Sequence, residues 1–439
     1  MESILVVAPF ASVPGEPYFS RYLHLCYLWA KDYRVTLVTS SFRHWTKLHR
    51  DRQSPNLADL PFELVLLDEP GYQRHVSFAR FWSHRRFHDE FKTWLLTELE
   101  AGVRFDLIYS AFPLISTNLT LGKLKSQYGY KLVIDVQDIW PDSIFVALPF
   151  LAKAPYLLSP IRAKAYQAYG YADGLIAVSK TYLAVARRHC PKTPGQVTYL
   201  GSDYQMIETA PARALAASKR RLVYIGTLSY SYDLTTVIRG FSQLATRYPN
   251  LELHILGDGP DRDRLEKIAA AGVFFHGFVA YDEMLSFVKA CDLTINPIVG
   301  KATQSVTNKL SDYIALGLPI LSSQENWEAI ELIKRRQGYL FEAGSPESFA
   351  RAAEQAIAQR QSESQQPIEQ QERAYDEIDR LFDRRVTYPQ ITEFLESIYS
   401  GSAHSQAHIS TSTVSESTVS KSTFSASTIS ESTVSKSTI

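Results

Sequence analysis

Short, strand-like runs rich in apolar residues recur along most of this chain, and stretches with helical periodicity fill the gaps between them. The first series is Ile4–Ala8, Val35–Thr39, Glu63–Leu67, Leu107–Ser110, Lys131–Asp135, Gly174–Val178 and Gln196–Leu200. The second is Arg221–Gly226, Leu251–Gly257, Val273–His276, Leu293–Pro297 and Pro319–Ser322. Runs without polar alternation predict strands buried on both faces, and so parallel sheets. Two successive series of strand–helix units predict an α/β protein with two Rossmann-like domains.

The boundary falls near Asp203–Ser218, where 210–219 carries no strand signal before a fresh strand begins. The expected organisation is a first domain over 1–205, a second over 218–365, a terminal helical segment over 366–400, and a tail over 401–439. Helices are predicted at Pro346–Gln359 and Pro389–Tyr399, with a polar stretch, Gln361–Gln371, between them. From Ser412 the chain repeats Ser-Thr-apolar-Ser-x. One apolar residue in five cannot bury enough surface to offset the entropy of ordering, so the tail is expected to be disordered; a β-solenoid edge is the other reading.

Composition narrows the partners. Lys plus Arg and Asp plus Glu both total 46, so global charge gives no footprint for nucleic acid. Cys26, Cys190 and Cys291 are scattered without metal-ligand spacing, which fits free thiols in a reducing cytosol. The start lacks a basic leader, and no apolar run approaches the roughly 18 residues a membrane span needs. A cytoplasmic protein is expected.

The segment richest in candidate chemistry is Gln304 to Pro319, just after the strand Leu293–Pro297 and a loop holding Gly300 and Lys301. Ser305 or Thr307 can cap a helix here, and Gly317 can end it. On that helix Ser305, Lys309 and Asp312 fall within about 60° of one another, opposite Leu310 and Ile314. A polar stripe is therefore expected to face away from the core at the mouth of a sheet. Free N–H groups at the helix start suit a diphosphate, Lys309 adds charge, and Asp312 can accept from ribose or sugar hydroxyls. The alternative is a solvated face carrying a Lys309–Asp312 ion pair.

Two features of the first half add to this. Gly15, in the loop after the first strand, permits close backbone approach to a substrate or simply makes a turn. Asp138, Trp140 and Asp142 follow the strand Lys131–Asp135, where a carboxylate could bind acceptor hydroxyls, act as a base, or cap a helix with Pro141 near its start. Further, Arg74, Arg80, Arg85 and Arg86 interleave with Phe78, Phe81, Trp82 and Phe87, and Phe42–Arg52 has the same flavour. Such a surface suits anionic lipid headgroups; the alternative is a solvated helix whose aromatics pack inward.

Gln304 to Pro319 resembles the donor-site signature of GT-B glycosyltransferases of the family-4 type. Val223 to Leu228, Leu253 to Pro260, His276 to Val279 and Ala290 to Pro297 stand in the order of that family, and Val133 to Asp142 resembles a stretch of its bacterial surface-polysaccharide branch. The resemblance, over roughly 1–360, implies two Rossmann-like domains facing a cleft, with the acceptor in the first and a nucleotide sugar in the second. It implies transfer from a UDP- or GDP-sugar to a lipid-linked or polysaccharide acceptor with retention, a hexosyltransferase-type reaction without metal or cofactor. Gly226, Thr227, Gly257, Lys301, Ser305, Lys309 and Asp312 are then the donor residues beside Gly15, and Asp138 and Gln304 the catalytic candidates. The terminal helix is expected to return to the first domain. Two positions depart from the pattern: Gln304 and Asp312 stand where the family has Glu. A non-catalytic sugar-nucleotide-binding subunit is the competing reading, since an uncharged Gln304 suits it. A nicotinamide or epimerase fold is excluded by the absence of Gly-x-Gly-x-x-Gly after the first strand.

Overall fold

The computed structural model describes residues 1–73, 77–141, 159–216, 218–300, 305–363 and 375–402. The expectations for the Ser/Thr-rich tail therefore lie outside the described residues. Met1–Ser405 forms one compact unit containing two parallel sheets.

The first sheet is built from β1 (Ser3–Val7), β2 (Arg34–Ser40), β5 (Glu63–Leu67), β6 (Leu107–Phe112), β7 (Lys131–Val136), β8 (Gly174–Ala177) and β9 (Gly195–Val197), with a small hairpin of β3 (Phe42–Arg43) and β4 (Leu48–His49) beside it. The spatial order is β5-β2-β1-β6-β7-β8-β9. The second sheet holds β10 (Arg220–Ile225), β11 (Leu251–Leu256), β12 (Val273–Gly277), β13 (Leu293–Asn296), β14 (Ile320–Ser322) and β15 (Tyr339–Leu340), in the order β12-β11-β10-β13-β14-β15. Every pairing within the two sheets is parallel. The central strands are buried on both faces over almost all their length, which is why they read as largely apolar runs without polar alternation. Strand order reverses between β1 and β6 and again between β10 and β13, and ligands of open α/β sheets bind in the crevices beyond such points.

The hairpin and β15 are too short to leave a periodic signal, and the sequence reading missed them. The predicted strand Gln196–Leu200 stops early, at Val197, because the chain then turns its carbonyls elsewhere. The Thr198 and Tyr199 carbonyls both accept from the Arg21 guanidinium. Arg21 also pairs with Asp135 at 3.1 Å, and both side chains are fully buried. The last helix, Arg384–Ser400, starts ahead of Pro389, because the Asp383 carboxylate caps the Arg385 N–H. Its buried face, Tyr388, Ile391, Leu395 and Ile398, packs into the core of the first sheet. The Trp29 indole N–H donates to Thr392 on this helix at 3.0 Å. All three cysteines are free and buried.

Deleting one partner of a buried, hydrogen-bonded ion pair leaves the other charge uncompensated. Arg21→Met is expected to destabilise the fold by about 3–5 kcal/mol, read from the urea midpoint at unchanged slope. A midpoint equal to that of the parent protein would remove Arg21 from this role.

Candidate functional site

On the second sheet, β10 and β11 end in loops that touch. Gly226 has φ of +123° and Gly257 φ of +142°, conformations that favour glycine. The Gly226 N–H donates to the Leu256 carbonyl and the Gly257 N–H to the Gly277 carbonyl. A Cβ on Gly257 would stand 1.9 Å from the Gly226 carbonyl oxygen, and one on Gly226 would stand 3.0 Å from the Lys309 amine. Thr227 continues this floor, its carbonyl accepting from the Tyr224 hydroxyl at 2.8 Å.

Lys309 projects onto that floor from the helix Asn308–Leu316. Of the two candidate caps, Thr307 is used, and Gly317 ends the helix in the left-handed region. The Lys309 amine donates to the Tyr224 hydroxyl at 2.8 Å and lies over the rings of Tyr224 and Tyr232, at 4.1 and 3.4 Å. It makes no ion pair among the described residues. Burial drives its pKa well below the ordinary lysine value.

The expected open stripe is corrected here. Lys309 through Ala315 are all buried, and Ser305 is buried as well. The reason is tertiary: the short helices Tyr204–Thr209 and Glu377–Phe382, both from outside the second sheet, pack against this helix, the rings of Tyr224 and Tyr232 cover the Lys309 amine, and Ser305 meets Ser179. The alternative Lys309–Asp312 ion pair does not form either. Asp312 instead accepts from the Ser202 hydroxyl at 2.7 Å and the Tyr281 hydroxyl at 2.8 Å. Burial raises its pKa against the pull of those hydrogen bonds and of Arg384.

Ser305 joins the two sheets, its hydroxyl donating to Ser179 Oγ, just beyond β8, at 2.7 Å. Tyr182 follows Ser179, and both Ser305 and the Asp138 carboxylate act on its hydroxyl; burial, then Asp138, pushes that phenol's pKa up. Asp138, just beyond β7, and Ser305, ahead of the helix Asn308–Leu316, thus both act on Tyr182. Next to them the buried Glu328 carboxylate accepts from the backbone N–H groups of Lys180 and Thr181 and from the Tyr199 hydroxyl. Nothing in the sequence marked Glu328, Tyr224 or Tyr232, because their neighbours come from distant segments. Ser179 alone carried a signal, as a hydroxyl residue between a strand and a helix.

Gln304, Lys301, Asp142 and Arg74 lie outside the described residues. Gly15 has φ of +86°, and a Cβ there would meet the Asn56 side chain at 2.3 Å. Its loop is pinned by Arg50, which holds both oxygens of Glu16 at 2.9 Å. Of the basic and aromatic surface, Arg85 pairs with Asp89 and Arg86 with Glu90, while Arg80 stacks on Tyr72. Phe87 packs inward, but Phe78, Phe81 and Trp82 are 90%, 67% and 65% exposed, so the inward-packing alternative fails for three of the four rings. Behind this surface, His44, Glu69 and His84 converge, and burial lowers both imidazole pKa values, that of His84 to about 4.

Residues 219–359, which carry the second sheet, match the family described as Glycosyl transferases group 1. A stretch of 128 residues is 29% identical to the lipopolysaccharide core biosynthesis glycosyltransferase LpsE of Rhizobium meliloti (strain 1021), covering 27% of this chain and 36% of that protein. The match thus spans about a third of that curated relative's length. Among solved structures, sucrose-phosphate synthase from Thermosynechococcus elongatus superposes with a TM-score of 0.65 at 14% identity, over 91% of this chain and all of that one. Anabaena HepE, solved with UDP-glucose, gives 0.60 at 16% identity, over 90% of this chain and all of that one. The fold is GT-B. The Gly226–Gly257 floor and Lys309 go with the second sheet, and Asp138 and Ser179 follow strands β7 and β8 of the first.

Any side chain at position 257 must move the Gly226 carbonyl. Gly257→Ala is expected to cost about 1–3 kcal/mol through backbone strain, seen as a lower Tm in thermal denaturation. An unchanged Tm would show that the two loops can separate freely.

Proposed function

We propose that this protein is a glycosyltransferase that moves a sugar from a nucleoside-diphosphate sugar, UDP- or GDP-linked, to a lipid-linked or polysaccharide acceptor. The observation that carries this reading is Lys309. A buried ammonium that faces, among the described residues, phenol rings and a hydroxyl is costly, and a diphosphate is the counter-charge that would remove the cost. The glycine floor beside it lets a bulky anion approach the backbone, and the helix start at Asn308 offers N–H groups. The family match over 219–359 and the fold shared with HepE favour the same assignment.

In this reading the bond between the anomeric carbon and the diphosphate oxygen breaks, and a bond to an acceptor hydroxyl oxygen forms. Lys309 takes up the charge that develops on the leaving diphosphate. The acceptor's proton leaves to a base on the first-domain side, for which Asp138 is the candidate, or to the departing diphosphate. Gln304 and Lys301 retain their proposed roles toward the donor sugar and diphosphate, and Gly15, Gly226, Thr227, Gly257, Ser305 and Asp312 theirs in lining the donor site. Stereochemical retention, independence of metal for this step, and hexosyl specificity belong to the same proposal. The exposed Phe78, Phe81 and Trp82, with Arg85 and Arg86 beside them, suit a peripheral seat on an anionic membrane where a lipid-linked acceptor resides. No helix among the described residues is long and apolar enough to cross a membrane.

Lys309→Met is expected to leave the unliganded Tm equal or higher, since it removes an uncompensated amine, and to abolish the thermal shift that a UDP- or GDP-sugar gives the parent protein. Because the folded protein favours the neutral amine, the anion must draw a proton onto Lys309, so donor affinity falls as pH rises. No shift with any nucleotide sugar would defeat the proposal; binding without transfer or hydrolysis would favour the non-catalytic subunit. For the membrane seat, Phe81→Ser with Trp82→Ser is expected to release the protein from anionic vesicles in co-sedimentation. Undiminished binding would reject that surface.

A further inference from the structure

We propose that His44, Glu69 and His84 form a site for a transition-metal ion of the Zn2+ type, a His2Glu ligand set in the first domain. One ligand atom from each residue lies within 4.8 Å of the other two. His44 Nε2 and Glu69 Oε2 are 3.4 Å apart. Ligands at about 2.0–2.2 Å from a four-coordinate zinc stand roughly 3.4 Å from one another, so these two are already spaced for it. His44 Nε2, Glu69 Oε2 and His84 Nε2 are each buried without a hydrogen-bond partner among the described residues. His44 and Glu69 match each other only when the imidazole is protonated; three such buried atoms at one point otherwise each cost desolvation energy unless something binds them.

The surroundings are those of a built site. The other imidazole nitrogen of His44 bonds the Tyr72 hydroxyl at 3.0 Å. Glu69 Oε1 accepts from the Ser83 hydroxyl at 2.7 Å, and Ser83 in turn accepts from the Gly71 N–H. Two of the three ligands are thus oriented through the atom that would not bind the metal. Phe10 and Phe42 pack edge-on against His44, closing the site to solvent. The three residues come from separate segments: the β3–β4 hairpin, the end of β5, and the helix Phe78–Glu100. An ion would therefore tie together the wall that carries the exposed Phe78, Phe81 and Trp82. Lys47 and Arg80 lie over the Tyr72 ring at 4.3 and 5.6 Å. Their charge disfavours an ion held by electrostatics alone, and so selects Zn2+ or Co2+, which bind nitrogen lone pairs, over Mg2+ or Ca2+.

The untagged full chain, stripped with a chelator and dialysed, would be titrated with Co2+ and then Zn2+. Metal content, visible absorption and Tm would be recorded, with circular dichroism to check folding. The expected result is one Co2+ per chain with visible d–d bands, displacement by Zn2+, a higher Tm with either ion, and no competition from excess Mg2+. His84→Ala and Glu69→Gln are expected to weaken binding by about 100-fold or more, with unchanged circular dichroism. Less than stoichiometric metal on the wild-type chain overturns the proposal even if neither variant folds. Equal binding by the folded variants overturns it too, as does stabilisation by inorganic phosphate in place of metal that is lost in His84→Ala.

Discussion

The structure turns on one guanidinium. Arg21 begins the first helix, yet it is fully buried and reaches Asp135 at the end of β7 and the carbonyls of Thr198 and Tyr199. It also lies 5.5 Å over the ring of Tyr388 on the terminal helix. A single side chain thereby fixes the sheet centre, the exit of the chain from the first domain, and the return of its last helix. A charge in that position is stable only while every partner is present, so the arrangement specifies one packing.

From that exit the chain passes through Ser202, whose hydroxyl grips Asp312 in the second domain. Arg384, at the start of the returning helix, donates to the Leu200 and Gly201 carbonyls. The junction is polar and buried, and its partners are shared between outgoing and returning chain. Glu328 and the Ser179–Ser305 contact extend this seam between the segments that follow the two sheets. The helix Asn308–Leu316 carries Asp312 into this junction and Lys309 onto the Gly226–Gly257 loops. Lys309, one helical turn from Asp312, has aromatic neighbours and no anion among the described residues.

The first domain spends its polar groups differently. Arg50 is committed to Glu16 and to the carbonyls of Ser40 and Ala11, closing the loop after β1. His44, Glu69 and His84 are drawn together beneath an outward-facing set of aromatic rings.

The strand series, the parallel sheets and the glycines at 226 and 257 were legible in the sequence, because each follows from local periodicity or from a conformation that favours glycine. The cap at Thr307 and the stop at Gly317 were legible for the same reason. The burial of Lys309 and Asp312 was not. Helical periodicity gives the angle of a side chain about its own axis, and it is silent on what another segment lays over that face. The helices Tyr204–Thr209 and Glu377–Phe382, distant in sequence, pack against the helix Asn308–Leu316; Ser202 and Tyr281 close over Asp312, and Tyr224 and Tyr232 over Lys309. The same holds for Arg21 with Asp135, separated by 114 positions, and for His44, Glu69 and His84, which share no spacing motif. Local chemistry set the elements and their ends; long-range packing chose which charges would be buried together, because only there does the desolvation of one group depend on the identity of another.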